Sequence, residues 1–267
     1  MNYQTVQIMT LAQLSQGKDW RISLLHDRPS HLLVWITRGQ GLLQLDGQRR
    51  GVGAHNAIFI PARSLFALDL GRQGFGQVVV IPDGTPLRLP QSPRHLRIRD
   101  VHAQTELTGM IEAAQREQQA LRPLSHDALE AHVALMSVWL RRQSMQDEHI
   151  PDRRNAGARL SARFCQMVSE RFATGAPMAT YAEVLDVTPT HLTRAVKTAT
   201  GKTAADILTE RVVFEARELL ATTDHSAQSI ARHLGFGSAT YFTRFVQQHT
   251  GFAPSKLRPA KPLPAKP

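Results

Sequence analysis

Cysteine is almost absent: Cys165 is the single one in 267 residues. An intramolecular disulfide framework is therefore excluded, and the composition fits a reducing cytoplasm. Cys165 falls in a helical run with Leu160, Phe164, Val168 and Phe172, which reads as a buried core thiol. No stretch approaches about 18 unbroken apolar residues, so no membrane-spanning helix is expected. The opening MNYQTVQIMTLAQL lacks the cationic flank and apolar run of a signal peptide. Acidic residues are outnumbered, 22 Asp and Glu against 32 Lys and Arg, leaving a net charge of +10 and a pI near 10.6. That excess favours a polyanionic partner, although charge alone does not separate nucleic acid from an anionic membrane surface.

Catalytic constellations are also missing. His31 and His55 are isolated, no His-x-His occurs, and no carboxylate follows at ligand spacing. A three-ligand metal site needs convergent donors. No Ser/His/Asp or Cys/His set has a recognisable spacing either. Neither a metal nor any other cofactor is expected.

What is present is concentrated near the C-terminus, in SAQSIARHLGFGSATYFTRFVQQHTGFAPSKLR, Ser226 to Arg258. Ile230, Ala231 and Leu234 form an apolar stripe at helical spacing. Gly235 and Gly237 bracket Phe236 and suit a turn with positive φ. A second helix then carries Tyr241, Phe242, Phe245 and Val246 inward. Thr240, Thr243, Arg244 and Gln247 share its opposite face. A polar, cationic helix held across a glycine turn from a small-residue helix is built to be presented, as in a helix-turn-helix facing the DNA major groove.

The pattern occurs twice. Met178 to Gly201, MATYAEVLDVTPTHLTRAVKTATG, aligns His191-Leu192-Thr193-Arg194 with Tyr241-Phe242-Thr243-Arg244, and Thr200-Gly201 with Thr250-Gly251. Leu185 and Leu234 are one residue closer than this offset, so the second turn holds one extra residue. Thr190, Thr193, Arg194 and Lys197 form the first outer face. Thr188-Pro189 suits an N-cap followed by proline at the first helical position. Between the copies, Ala204 to Asp224 reads as one helix touching both units through Ile207, Leu208, Arg211, Val212, Glu215, Ala216, Leu219 and Leu220. About 18 helical residues span roughly 27 Å, which could hold two reading helices about 34 Å apart, one turn of DNA.

Ser229 to Arg258, with its GF-x-S-x-x-YF-x-R core and G-F-x-P close, resembles the signature of AraC/XylS-type transcription regulators. The double motif and its connecting helix match that family's DNA-binding domain over about residues 157–260. Val196 and Val246 depart from a frequent family Phe, which bears on packing. The resemblance implies contacts to double-stranded DNA from Thr190, His191, Thr193, Arg194, Lys197, Ser238, Thr240, Thr243, Arg244 and Gln247.

Residues 1 to about 90 read as β structure. His31 to Thr37, Leu42 to Leu45, Ala57 to Ile60 and Phe75 to Ile81 are short apolar runs, and Asp46-Gly47 is a hairpin signal. Short strands with Gly and Pro turns suggest a sandwich or barrel. The order strand, G-x-G, strand, Asp-Gly, apolar run ending Ile-Pro resembles the cupin-type sensor domain of many AraC relatives. Trp20, Arg21, His31, Trp35 and Arg63, with Phe59 and Phe66, are the candidates for a ligand cavity. For Trp35, Phe59 and Phe66 plain core is an equal reading, and for Arg63 an exposed arginine without a role.

The expected architecture is multidomain α+β. Residues 1–98 form a cupin-like sensor sandwich, and the basic, Pro-rich 83–99 is connecting chain. Residues 99–145 form a helical hairpin with Leu107, Met110, Ile111 and Ala114 on one helix and Leu129, Val133, Met136, Trp139 and Leu140 on the other. Ser125-His126-Asp127 would cap the second helix. The family position implies a homodimerisation element, while periodicity alone fits packing on the sandwich equally. Residues 146–156 form a linker, 157–260 an all-α double helix-turn-helix, and 261–267 an extended tail. The function these features imply is transcription regulation, with DNA, a second copy, a small-molecule effector and, for an activator, RNA polymerase as partners, and no membrane. The alternative is a cupin-type metal enzyme with a helical appendage.

Overall fold

The computed structural model describes residues 5–71, 73–120, 122–146 and 155–259. Most of the expected linker at 146–156 and all of the expected tail at 261–267 lie outside the described residues.

The N-terminal half carries β1 (Gln7–Thr10), two short helices α1 (Leu11–Leu14) and α2 (Trp20–Ser23), then β2 (Ser30–Arg38), β3 (Gln40–Leu45), β4 (Gln48–Gly53), β5 (Asn56–Ile60), β6 (Phe66–Asp69), β7 (Phe75–Pro82) and β8 (Arg94–Arg97). One sheet runs β1-β7-β2-β5-β8 and the other β4-β3-β6, with antiparallel pairing throughout. Asp46 and Gly47 both have positive φ, 55° and 66°, the backbone that a two-residue hairpin between twisted strands needs. Residues 83–99, expected as plain connection, instead contain β8. Leu96 has no exposed surface, and His95 hydrogen-bonds Asn56 on β5 at 2.6 Å, which stitches this short edge strand to the sheet.

Strand β2 explains the layering. Successive side chains of a strand point to opposite faces, and here both faces are buried. Leu32, Val34 and Ile36 meet Leu43, Leu45, Phe66 and Leu68 between the sheets. Leu33 and Trp35 turn the other way, toward the helices α3 (Val101–Ala120) and α4 (Ser125–Met145). The faces of α3 and α4 read as candidates for dimerisation, Leu107, Ile111 and Ala114 with Leu129, Val133, Met136, Trp139 and Leu140, are consumed in this third layer. The start of α4 also differs from expectation: the cap is Leu124, at φ 62°, and it makes no side-chain capping bond.

The C-terminal half is helical: α5 (Ala156–Arg171), a 3-10 turn at Phe172–Thr174, α6 (Met178–Val184), α7 (Pro189–Thr200), α8 (Ala204–Thr222), α9 (Ala227–His233), α10 (Ala239–Thr250) and α11 (Pro254–Leu257). Helix α8 serves two cores. Ala204 and Ile207 at its start pack with Leu185, Leu192 and Val196 of the first unit. Ala216 and Leu220 near its end pack with Ile230, Leu234, Phe242 and Val246 of the second. Among the described residues no helix is long and apolar enough to cross a membrane.

Candidate nucleic-acid interface

The two helix-turn-helix units are built from the same local devices. In the first, α6 ends at Leu185, Asp186 takes φ 57°, and the Thr188 Oγ1 accepts the His191 N–H at 3.2 Å to start α7, with Pro189 at its first position. In the second, α9 ends at Leu234, Gly235 takes φ 75°, and the Ser238 Oγ accepts the Tyr241 N–H at 3.2 Å to start α10. Each cap satisfies a backbone donor that the helix leaves without a partner. The offset is 49 residues between α6 and α9 and 50 between α7 and α10. Gly237 is the extra residue; its φ is not positive and a Cβ there would meet nothing within 4 Å.

Helices α7 and α10 also end alike. Gly201 and Gly251 sit in the left-handed region at φ 78° and 75°, the usual glycine stop. One residue earlier, the Thr200 hydroxyl bonds the Val196 carbonyl at 2.8 Å and accepts the Lys202 N–H at 3.1 Å. The Thr250 hydroxyl does the same with Val246 at 2.7 Å and Phe252 at 3.2 Å. Repetition of Thr-Gly in the sequence is thus a repeated helix-ending device.

Leu192, Ala195 and Val196 on α7 and Phe242 and Val246 on α10 are buried. Thr190, His191, Arg194 and Lys197 are exposed on α7, and Thr193 is half-buried. Ser238, Thr240, Arg244 and Gln247 are exposed on α10, with Thr243 again half-buried. No described carboxylate pairs with Arg194 or Arg244, while Lys197 is near enough to Asp206 to help lower that carboxyl's pKa, after the Thr203 hydrogen bonds. Two unpaired guanidinium groups at equivalent registers on solvent-facing helices can engage phosphate, or guanine O6 and N7. Tyr241 departs from expectation: it is 70% exposed, because it occupies the same flank as the exposed His191. Phe245 is half-buried against Phe236 and His249.

The five residues considered for a ligand are not gathered in one place. His31 and Arg63 lie near each other through Asp83, at 3.6 and 3.5 Å; burial lowers the His31 pKa and Asp83 opposes that shift. Trp35 donates its indole N–H to Thr108 on α3 at 3.1 Å, so it faces the helices and not the space between the sheets. Trp20 and Arg21 sit against α8. Among the described residues no three His, Cys, Asp or Glu side chains converge as metal ligands. Cys165 is buried and its thiol pKa is pushed up to about 12, first by desolvation and then by Asp46, which makes it a poor nucleophile.

Sequence reasoning missed how closely the two halves dock. Arg211 of α8, which periodicity placed on a face toward both helical units, donates Nε to Asp27 at 2.7 Å and Nη1 to Glu215 at 2.8 Å. Its guanidinium also lies 3.7 Å from the Phe172 ring centroid. Arg21 pairs with Glu218 at 3.1 Å, and Trp20 packs edge-on against Phe214. His26 is stacked on Phe214 with centroids 4.3 Å apart and leans on Phe66. Burial, then Arg28 and Arg211, hold its pKa well below the ordinary histidine value. The run Trp20-Arg21 with His26-Asp27 and the excess of Arg and Glu on α8 were the available signals; neither names its partner without coordinates.

A family profile described as a helix-turn-helix domain matches residues 181–260. Over 250 residues the chain is 27% identical to the HTH-type transcriptional activator RhaS of Enterobacter sp. strain 638, covering 87% of this chain and 86% of that protein. Among solved structures, the C-terminal domain of AraT, a response regulator from Geobacillus stearothermophilus, is similar at 25% identity with a TM-score of 0.37, covering 39% of this chain and 86% of that one. An apo ToxT variant from Vibrio cholerae aligns over 96% of this chain and 97% of its own at 12% identity and a TM-score of 0.44. The duplicated helix-turn-helix and the similarity to RhaS over most of both chains make the protein a DNA-binding transcriptional regulator.

Proposed function

We propose that the chain lays α7 and α10 into successive turns of the major groove on one face of double-stranded DNA. The observation that carries this reading is the equivalence of Arg194 and Arg244, exposed at the same register of two helices with the same caps. Helix α8, with 19 residues, is about 28 Å long, close to the roughly 34 Å between equivalent groove positions. Thr190, Thr193, Thr240 and Thr243 supply methyl contacts to thymine or hydrogen bonds to bases, and Lys197 and Gln247 reach the backbone. Arg194→Ala and Arg244→Ala should each weaken binding to an operator fragment by about 1–3 kcal/mol if the contact is bidentate to a base. Footprinting of bound genomic fragments supplies that operator. Unchanged affinity in both variants, with unchanged melting curves, sinks the assignment.

The remaining assignments rest on that one. Residues 1–98 act as the sensor unit for a small-molecule effector, 99–145 as its helical layer, and 157–260 as the DNA-binding unit. RhaS is an activator by name; the same role here makes RNA polymerase a partner. The protein is a regulator working in the cytoplasm and not an enzyme. Dimerisation uses the outer side of α4, since its other face is spent on the sandwich. Leu124, Ala128, Ala131, Leu135, Val138, Arg142 and Met145 alternate in steps of four and three, the spacing of a coiled-coil seam. Leu124, Leu135 and Met145 stand 76, 57 and 88% exposed.

A further inference from the structure

The tip of the β3–β4 hairpin is seated on the first helix-turn-helix unit. The Ser161 hydroxyl of α5 donates to the Gly47 carbonyl at 2.7 Å in a buried position, and Gln44 Nε2 donates to the Thr200 carbonyl at the end of α7 at 3.4 Å. A Cβ on Gly47 would lie 2.6 Å from the Ala162 nitrogen, so the two backbones meet too closely for any side chain. Two residues on, Arg49 is exposed, and its Nη1 lies 3.4 Å from where a Gly201 Cβ would stand. Between hairpin and α7 runs an open groove of about 520 Å³, lined by Gln48 and Arg49 of the hairpin, by Asn155 at the start of α5, and by His191, Arg194 and Thr198 of α7. Arg194, part of the reading face, and Arg49, part of the sensor half, thus share one cationic groove.

A major groove is about 12 Å wide, and a helix with its side chains is about 10–12 Å across. A helix filling the groove therefore turns its flanks to the sugar-phosphate walls, which carry one charge per about 1.7 Å of duplex. We propose that Arg49 on the sensor-domain hairpin is a backbone-phosphate contact, so that the sensor half forms one wall of the DNA-binding surface beside α7. This rests on the reading that α7 enters the groove. It also gives the sensor half a direct route to DNA affinity: moving the hairpin removes a phosphate contact without disturbing the reading helices.

A phosphate contact is sequence-independent, so a random-sequence duplex of about thirty base pairs serves as the probe for the full-length protein. The slope of log affinity against log salt should fall in magnitude by about 0.9 in Arg49→Gln. Between roughly 50 and 200 mM salt, the wild type should then lose about threefold more affinity than the variant. Arg49→Lys keeps the charge and should keep the slope. Arg194→Ala, measured alongside on the operator fragment, reports on α7 itself. If Arg194→Ala weakens binding while Arg49→Gln leaves affinity and slope unchanged, the hairpin contact is refuted and the reading helix stands. Tighter binding by Arg49→Gln overturns it too, by showing that the hairpin shields the helix, as does an equal loss in Arg49→Gln and Arg49→Lys.

Discussion

Gly235 has φ 75°, and a Cβ built on it would sit 2.4 Å from the Gly175 nitrogen and 2.7 Å from the Thr174 carbonyl carbon. Gly175, itself at φ 69°, would clash equally with the Gly235 carbonyl. The turn of the second unit and the turn after α5 therefore meet backbone to backbone, and neither can yield as a flexible side chain would. The equivalent residue of the first unit, Asp186, has the same kind of φ, 57°, so handedness alone does not demand glycine there; short polar residues tolerate that region. Gly235→Ala should destabilise the fold by at least about 2 kcal/mol, combining left-handed strain with the collision. Asp186→Gly should stay within about 1 kcal/mol of the wild type. Urea unfolding of the two variants measures this contrast, and equal effects would mean that the Gly175 contact is not made.

At the scale of the element, α4 holds two apolar faces, of which one is spent on the sandwich. If the outer seam joins two copies, a charge at its centre enters the interface twice by symmetry. Losing a buried leucine costs about 1.5–3 kcal/mol, so Leu135→Glu should weaken self-association by at least about a hundredfold. Sedimentation at micromolar concentration reads this directly; a wild-type monomer, or a Leu135→Glu variant that stays dimeric, removes the seam from the account. Helix α4 also marks where legibility in sequence ended. Local devices could be read: the Asp46-Gly47 hairpin, the Thr188-Pro189 start, the duplicated Thr-Gly stop, and the exposure of the faces around Arg194 and Arg244. Each is decided within a few residues by hydrogen bonds and φ. Periodicity marks Leu129, Val133 and Met136 as buried but does not say against what, so packing on the sheet could not be told from pairing with a second copy. Tyr241 failed for a related reason. An aromatic ring beside Phe242 invites an inward reading, yet its position on the helix puts it on the flank.

Across the whole molecule, the N-terminal half and α8 are joined by a polar pair set among rings. Arg211 and Asp27 are largely withdrawn from water, with side chains 5 and 18% exposed, and the same guanidinium also holds Glu215. Removing one partner of such a pair leaves a buried charge poorly compensated and costs about 3–5 kcal/mol. In Asp27→Ala the loss falls on docking between the halves, so proteolysis between them should accelerate while α7 and α10 remain protected. His26, between Phe66 and Phe214, adds a pH dependence to the same junction. Its ring accepts from Arg28 at 3.2 Å and makes a 2.8 Å bond to the Leu24 carbonyl, which suits the neutral form. Because the docked pKa lies below the ordinary 6.5, the undocked or unfolded chain takes up the proton first as pH falls. The stabilisation is therefore complete above about 6.5 and declines as pH drops through that value toward the lowered docked pKa. His26→Phe keeps the stacking and removes the titration. Its melting temperature should lose the part of the pH 7 to pH 5 decline that His26 contributes, and a decline identical to that of the wild type would place the acid sensitivity elsewhere.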